Sequence, residues 1–420
     1  MTASGRRPTA VIVGASVGGV RTAKALRSAG YAGEIVLVGA EDHLPYDRPP
    51  LSKTFLAGTA TREDLTLLTE DAADAARIRL ELGTPATAVD VAGRAVELAD
   101  GRRLGFDELV IATGARPRPS PWGAPRGLHV LRTLDDGLAL REDLGRGGPL
   151  VVIGAGFVGA EIAATAAEIG GPAGVTLVDP MPVPLSRVLD PAVARRFADL
   201  HTGRGVATRF GAAVTGVETS GDGLVVRLDD GTGLPAATVV VGIGAVPNDG
   251  WLRGSGLTIA DGVVCDRYCR ARGAPNIHAV GDVARWFHPR RRTLVRAEHW
   301  TNAVEQADRV AHNITHPDDL QAHDPVEYIW TDQYDWRIQL VGRTGGSLDH
   351  VTLSGADPDR SFAVLYAHSS GDFAGAVTVN WPRAVIACRK ALHAPVSLDT
   401  VRETITAAAS RRPRAGMPGR

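Results

Sequence analysis

The sequence predicts an α/β protein with two related parallel-sheet units and a smaller α+β unit, and three observations predict it. A β-branched run, a glycine turn and the start of a helix follow one another in Val11-Ile12-Val13-Gly14-Ala15-Ser16-Val17-Gly18-Gly19. The same order recurs in Val151-Val152-Ile153-Gly154-Ala155-Gly156-Phe157-Val158-Gly159. Each copy then runs through a helical stretch into a further β-branched strand, Glu34–Val38 and Val175–Asp179. Glycines at such a junction let the backbone approach a phosphate, and the helix N-terminus offers unpaired N–H groups and a positive dipole end. Two such turns imply two Rossmann-like units and two dinucleotides, most economically a flavin that stays bound and a nicotinamide that exchanges.

In chain order, the first unit predicts a strand from Thr9, a helix over Gly19–Ala29 stopped by Gly30, and the strand Glu34–Val38. Alternating stretches with Asp100-Gly101 predict β-hairpins between Thr87 and Leu104, and Leu109–Gly114 is a further buried strand. The Pro-rich stretch Arg116–Pro125 is read as a crossing between domains. The second unit repeats the order, with Leu150–Ile153, a helix to Ile169, Val175–Asp179, a hairpin near Leu224–Leu228 and the strand Thr238–Gly244. Ile277–Val280 is one more strand, ending at Gly281-Asp282. Residues 323–409 lack such units and read as a separate α+β domain, and Ser410–Arg420, rich in Arg, Pro and Gly, as a disordered tail.

Composition narrows the class. A chain of 420 residues accommodates two or three domains, and 44% hydrophobic with 22% charged residues is ordinary for a soluble globular protein. The net charge of −1 gives no global attraction to nucleic acid or an acidic membrane, so any electrostatic recognition is local. Three cysteines, Cys265, Cys269 and Cys388, make no disulfide framework and fit a reducing cytoplasm. No apolar run is long enough to span a bilayer, and Val11-Ile12-Val13 is too short for a signal-peptide core.

Several further motifs stand in a fixed order: Pro45-Tyr46-Asp47-Arg48-Pro49-Pro50-Leu51-Ser52-Lys53, Ala112-Thr113-Gly114, Gly242-Ile243-Gly244-Ala245-Val246-Pro247-Asn248, Val280-Gly281-Asp282 and Trp330-Thr331-Asp332-Gln333-Tyr334. With the two glycine turns, they make the chain resemble the FAD-dependent ferredoxin reductases of the oxygenase-coupled type, within the pyridine nucleotide-disulfide oxidoreductase superfamily. The resemblance runs from Thr9 to Leu392. It implies an FAD domain split in sequence (1–114 and 247–322), an NAD domain inserted in it (115–246) and a C-terminal domain (323–409) covering the flavin.

The site residues follow from the motifs and the resemblance together. The first turn holds the FAD pyrophosphate through Gly14, Ser16, Gly18 and Gly19, with Ser16 standing where the G-x-G-x-x-G pattern has glycine. Glu41, beyond the second strand, is either the ribose partner or a solvated loop carboxylate. The resemblance places Arg48 and Lys53 over the FAD and implies FAD contacts at Ala86, Thr113, Gly114, Arg132 and Asp282. Asp282 also suits a helix N-cap. Trp300 either stacks on the flavin ring or fills core. Glu161 aligns with the family glutamate that pairs with the lysine near the nicotinamide, so Lys53 and Glu161 are read as setting the geometry of hydride transfer. The bland alternative is a pair of solvated charges.

The second turn has the full pattern in Gly154, Gly156 and Gly159, with Phe157 and Val158 inside it, and Gly242, Gly244 and Pro247 are expected to border the nicotinamide site and the return crossing to the FAD domain. Asp179 ends the following strand, where a carboxylate accepts from the ribose 2′-OH and repels a 2′-phosphate, so NADH is favoured over NADPH. Arg187, Arg195 and Arg196 follow it and temper that preference.

Disulfide reductases of this superfamily need a redox cysteine pair near the flavin, and no cysteine precedes Cys265. The Cys265 and Cys269 pair reads as two ordinary small residues, and no Cys/His cluster has metal-ligand spacing. Electrons must therefore leave for an external acceptor, which the resemblance makes a [2Fe–2S] ferredoxin serving a haem monooxygenase or ring-hydroxylating dioxygenase. The run Arg285–Arg296, with Arg290, Arg291 and Arg292 at its centre, is either a patch that steers an acidic ferredoxin or a solvated hairpin tip. Trp330 and Gln333 resemble residues covering the flavin edge where ferredoxin docks. Two rival readings are a rubredoxin reductase on the same scaffold and an NADH-sensing flavoprotein resembling apoptosis-inducing factor.

Overall fold

Each β-branched run becomes a strand buried along nearly its whole length, as parallel strands covered on both faces require. The computed structural model describes residues 7–410 apart from 172–173, 187 and 346–347. Within that range the chain divides into two units. The first comprises residues up to Gly123, Val130–Glu142 and Ile243–Pro325; the second comprises Ala124–His129, Asp143–Gly242 and the chain from Val326 onward.

The first unit is built on five parallel strands in the order Ile277–Ala279, Glu108–Ile111, Thr9–Val13, Glu34–Val38, Ile78–Glu81. The glycine-turn strand is central, and the chain leaves it to opposite sides, which makes its C-terminal end the topological switch point where α/β sheets bind ligands. Val17–Ser28 is the turn's helix, packed beside the helix Trp300–Thr315. It begins two residues before Gly19 because Ser16 serves as N-cap in extended backbone (φ −108°, ψ −163°). Ala86–Asp90, Ala95–Leu98 and Arg103–Gly105 form the expected antiparallel hairpins. Ala115–Pro117 pairs antiparallel with Ala245–Pro247, so the first end of the expected crossing is a two-stranded ribbon.

The second unit repeats the plan, with parallel order Ala207–Phe210, Val175–Asp179, Leu150–Ile153, Thr238–Val241, Leu128–His129. Its turn opens the helix Phe157–Gly170, buried at every residue from Gly159 to Ala167. That burial has two sources, the sheet on one side and the strand Tyr328–Gln333 on another. Tyr328–Gln333 edges an antiparallel sheet that continues through Trp336–Gly342, Phe373–Val379, Phe362–Ala367 and Asp349–Ser354, with Pro382–Ala391 and Leu398–Ser410 as its helices. One apolar cluster joins this sheet to the helix Pro191–Gly203, uniting Phe197 and Leu200 with Trp336, Phe362 and Val377. Ser410, expected to start a disordered tail, ends the last helix, and Arg411–Arg420 lie outside the described residues. Among the described residues no helix is long and apolar enough to cross a membrane.

Candidate functional site

The two glycine turns are built on the same contacts. Gly14 (φ +117°) and Gly154 (φ +106°) occupy backbone that favours glycine, and a Cβ there would lie 2.1 Å from Ala112 O and 2.3 Å from Gly242 O. A Cβ on Gly19 or Gly159 would meet the carbonyl of the turn's first glycine, at 1.8 Å and 1.9 Å. The middle position differs. Gly156, an N-cap like Ser16, has no atom within 4 Å of a built Cβ. The serine therefore departs from the pattern at the one place where the scaffold leaves room for a side chain.

Around the first turn, several expected residues form one network. Arg48 Nε lies 3.4 Å from Ser16 Oγ, its NH2 pairs with Glu41 Oε1 at 2.8 Å, and its NH1 donates to Arg132 O at 2.5 Å. Arg132 NH2 in turn pairs with Asp282 Oδ2 at 3.1 Å and stands beside Gly114. The other Glu41 oxygen accepts from Tyr46 Oη at 2.5 Å, so Glu41 is held in the network rather than solvated. Burial and the neighbouring Arg48 cation push the Arg132 pKa down, with Asp282 only partly opposing them. Arg132 Nε, moreover, is buried with no hydrogen-bond partner among the described residues. A half-buried cation with a buried, unused donor, beside a second cation that reaches the glycine turn, fits a bound pyrophosphate.

The remaining expected residues of the first unit frame that network. Trp300 Nε1 donates to Asp47 Oδ1 at 2.8 Å, and burial raises the pKa of that carboxyl against this hydrogen bond. Thr113 Oγ1 donates to Asn248 O at 2.7 Å while Asn248 Nδ2 donates to Thr113 O at 3.0 Å, which ties the Ala112–Gly114 and Pro247–Asn248 motifs together. Lys53 Nζ donates to Pro49 O at 3.2 Å, and Ala86 begins the first hairpin strand. Gly244 (φ +104°) has open space where a Cβ would point. Tyr46, Asp47, Gln306 and Asn248 were not singled out from sequence. Three of the four sit inside quoted motifs, whereas Gln306, which accepts from Gly281 N at 2.8 Å, has no local signal.

In the second unit, Asp179 Oδ2 accepts from Ala155 N at 2.6 Å and Oδ1 from Met181 N at 2.8 Å, so the strand-end carboxylate braces the turn itself. Phe157 is half-buried against the cluster that joins the C-terminal sheet to the helix Pro191–Gly203, and Val158 is 45% exposed. Gly242 N donates to Ile153 O at 2.7 Å beneath the turn. Glu161 is buried and accepts from Thr331 Oγ1 at 2.7 Å, so it is not a surface carboxylate. Arg196 is turned to the C-terminal sheet, its guanidinium 3.5 Å from the centre of the Phe362 ring. Arg195 is exposed, and Arg187 lies outside the described residues.

The basic run forms a hairpin, Ala284–His288 with Thr293–Val295, whose turn carries Arg290–Arg292. Arg290 pairs with Asp324 at 2.8 Å, and Arg296 with Asp261 at 3.1 Å and Glu298 at 2.6 Å. Arg291 and Arg292, at the turn, are exposed. Trp330, in the second unit, stacks near Tyr328 with ring centroids 6.2 Å apart, whereas Gln333, expected beside it at a docking edge, is buried on the opposite face of the strand because side chains alternate along it. All three cysteines are free and buried, and burial raises the pKa of each thiol, those of Cys269 and Cys388 to about 12. Among the described residues no cluster of His, Cys, Asp and Glu could hold a metal.

A duplicated parallel-sheet scaffold with a glycine turn at each switch point defines a two-dinucleotide α/β protein. Residues 8–307 match the pyridine nucleotide-disulphide oxidoreductase family and residues 328–408 the reductase C-terminal family. The chain belongs to the pyridine nucleotide-disulphide oxidoreductase family. It is 40% identical to putidaredoxin reductase of Pseudomonas putida over 89% of this chain and 88% of that one. It is 36% identical to rhodocoxin reductase of Rhodococcus erythropolis over 92% and 90%. The covalent putidaredoxin reductase–putidaredoxin complex is a structural relative with a TM-score of 0.88 at 35% identity, covering 97% of this chain and all (100%) of that one.

Proposed function

We propose that this chain is an FAD-dependent NADH:ferredoxin oxidoreductase that supplies electrons to an oxygenase system through a [2Fe–2S] ferredoxin. The observation that carries the reading is the nearly end-to-end match to reductases of ferredoxins, which spans both glycine-turn units and the C-terminal sheet. FAD, when bound, supplies the conversion of a two-electron hydride into single electrons for an iron–sulfur acceptor. The chain's own residues bind, orient and insulate.

The residues proposed to hold FAD are Gly14, Ser16, Gly18 and Gly19 at the pyrophosphate, with Arg48, Arg132 and Asp282 around them. Glu41, Lys53, Ala86, Thr113, Gly114 and Trp300 complete that side. On the nicotinamide side Gly154, Gly156, Phe157, Val158 and Gly159 form the turn, Gly242 and Gly244 the border, and Asp179 favours NADH over NADPH. That preference is supported by the placement of the Asp179 carboxylate against the turn and by Arg196 being engaged elsewhere. Lys53 and Glu161 are proposed to set the hydride-transfer geometry. The domain assignment goes with this reading, with 1–114 and 247–322 binding FAD, 115–246 binding NADH and 323–409 as the C-terminal domain. Buried thiols of raised pKa support electron exit to a separate protein rather than to an internal disulfide, and they suit a reducing cytoplasm.

The test is steady-state reduction of cytochrome c with NADH, through purified [2Fe–2S] ferredoxins and, in parallel, rubredoxin. Turnover with a ferredoxin and little with rubredoxin is expected. A holoenzyme whose flavin is reduced by neither nicotinamide sinks the reading, and turnover with rubredoxin alone replaces the partner.

A further inference from the structure

Glu161 lies at the end of a chain of four hydrogen bonds buried inside the second unit. Its Oε1 accepts from Thr331 Oγ1 at 2.7 Å, and Thr331 Oγ1 lies 3.4 Å from Gln333 Nε2. Gln333 Oε1 is 3.1 Å from His201 Nε2, and His201 Nδ1 is 3.0 Å from Tyr334 Oη. Thr331, Gln333 and His201 are each at most 1% exposed. Strand alternation explains the grouping. On Tyr328–Gln333, Thr331 and Gln333 point inward to the helices, while Trp330 and Asp332 take the other face.

The donors in this chain all run one way. Burial lowers the His201 pKa to about 4, so the imidazole is neutral near pH 7 and carries one N–H. The carbonyl oxygen of Gln333 can only accept, which puts that proton on Nε2 and leaves Nδ1 to accept from the Tyr334 hydroxyl. Gln333 then spends an amide N–H on Thr331, and the single Thr331 hydroxyl hydrogen goes to Glu161. An amide does not pass protons on readily, so the chain orients rather than conducts. Holding three buried polar side chains in fixed rotamers gives the last donor one direction.

We propose that Thr331, Gln333, His201 and Tyr334 are positioning residues that fix the Glu161 carboxylate through a one-way hydrogen-bond chain anchored in the C-terminal sheet. The inference rests on the proposed function, because it takes Glu161 as the carboxylate beside the nicotinamide. It assigns the C-terminal sheet a task on the nicotinamide side, carried by the inward face of the strand that bears Trp330.

Two measurements on the FAD-loaded protein test it. In ¹⁵N-histidine-labelled enzyme, with His201 assigned by its loss in His201→Gln, the ring must show a protonated Nε2 and a bare Nδ1. A protonated Nδ1 reverses the chain and overturns the proposal. The second measurement compares Thr331→Val with Thr331→Ser by stopped-flow flavin reduction and thermal melting. The valine variant should lose about tenfold in the reduction rate at saturating NADH, with the half-saturating NADH concentration changed less than about threefold, and serine should restore most of it. Equal loss in both variants, or a loss that merely tracks a lower melting temperature, overturns positioning. A wild-type enzyme that NADH does not reduce defeats the functional reading instead, while the His201 tautomer still decides the chain.

Discussion

At the scale of single residues, Arg132 is the most exposed to test. It is a half-buried cation whose pKa is pushed down by desolvation and by Arg48, and its buried Nε has no partner among the described residues. A guanidinium in that state is stabilised by an added anion, because charge-assisted hydrogen bonds contribute about 1.5–3 kcal/mol each. Arg132→Met is therefore expected to weaken FAD binding roughly 10- to 100-fold, since one such bond corresponds to about that factor. Flavin fluorescence on dilution measures it. A variant that retains flavin as tightly as the parent removes Arg132 from the cofactor site. Glu41 and Asp282 do not substitute for that anion, since each is already engaged, Glu41 with Arg48 and Tyr46, and Asp282 with Arg132 itself.

At the scale of elements, the two turns separate fold from function within a few residues. A Cβ at Gly159 would lie 1.9 Å from Gly154 O, a backbone atom that cannot yield without reshaping the strand–helix junction. Gly156 has no such neighbour, and its φ of −75° suits any residue. Gly156→Ala is expected to melt within about 1–2 °C of the parent and to raise the dissociation constant for NADH about tenfold or more, by crowding the pyrophosphate. Gly159→Ala is expected to lose stability by several kcal/mol or to fail to fold, as backbone clashes do. Urea melts and NADH titration decide it, and a stable Gly159→Ala with normal binding contradicts the packing argument. These turns, their strands and the duplicated order were legible in the sequence, because glycine spacing and β-branched runs are local marks. The networks were not. Arg48 meets Arg132 across 84 positions and Arg132 meets Asp282 across 150, distances at which local pattern says nothing, so only the family motifs pointed to them. His201 and Gln306 carried no motif at all, and their role is visible only once the strands and helices are packed. The C-terminal sheet was read only as α+β, because Phe362–Ala367 and Phe373–Val379 are buried on both faces and show no alternation.

At the scale of the whole molecule, charge governs both acid stability and partner encounter. Burial lowers the pKa of His201 and His288 to about 4 and of His323 to about 3, against about 6.5 for an unfolded histidine. Between those values the unfolded chain holds protons the folded chain does not, so stability rises with pH across the window and falls as pH drops from 6.5 toward 4. Three such groups give a slope approaching roughly 4 kcal/mol per pH unit near pH 5, and the urea midpoint should fall steeply there. A flat midpoint between pH 7 and 5 contradicts the buried neutral histidines. Partner encounter has a different origin. With a net charge of −1 the molecule has almost no overall field, so any steering of an acidic ferredoxin must come from where charges sit. The Arg290–Arg292 turn is the place to ask, but its patch is smaller than the sequence suggested, because Arg290 is held by Asp324. Reversing Arg291 and Arg292 to glutamate is expected to slow ferredoxin-dependent cytochrome c reduction roughly tenfold at low salt and to flatten its salt dependence. The control reverses Arg94 and Arg253, two exposed arginines elsewhere in the first unit, and so produces the same net charge. Equal effects from both pairs mean that only total charge matters and that the turn is a solvated hairpin tip. A large effect from Arg291 and Arg292 alone, with direct flavin reduction by NADH unchanged, places the ferredoxin encounter at that turn.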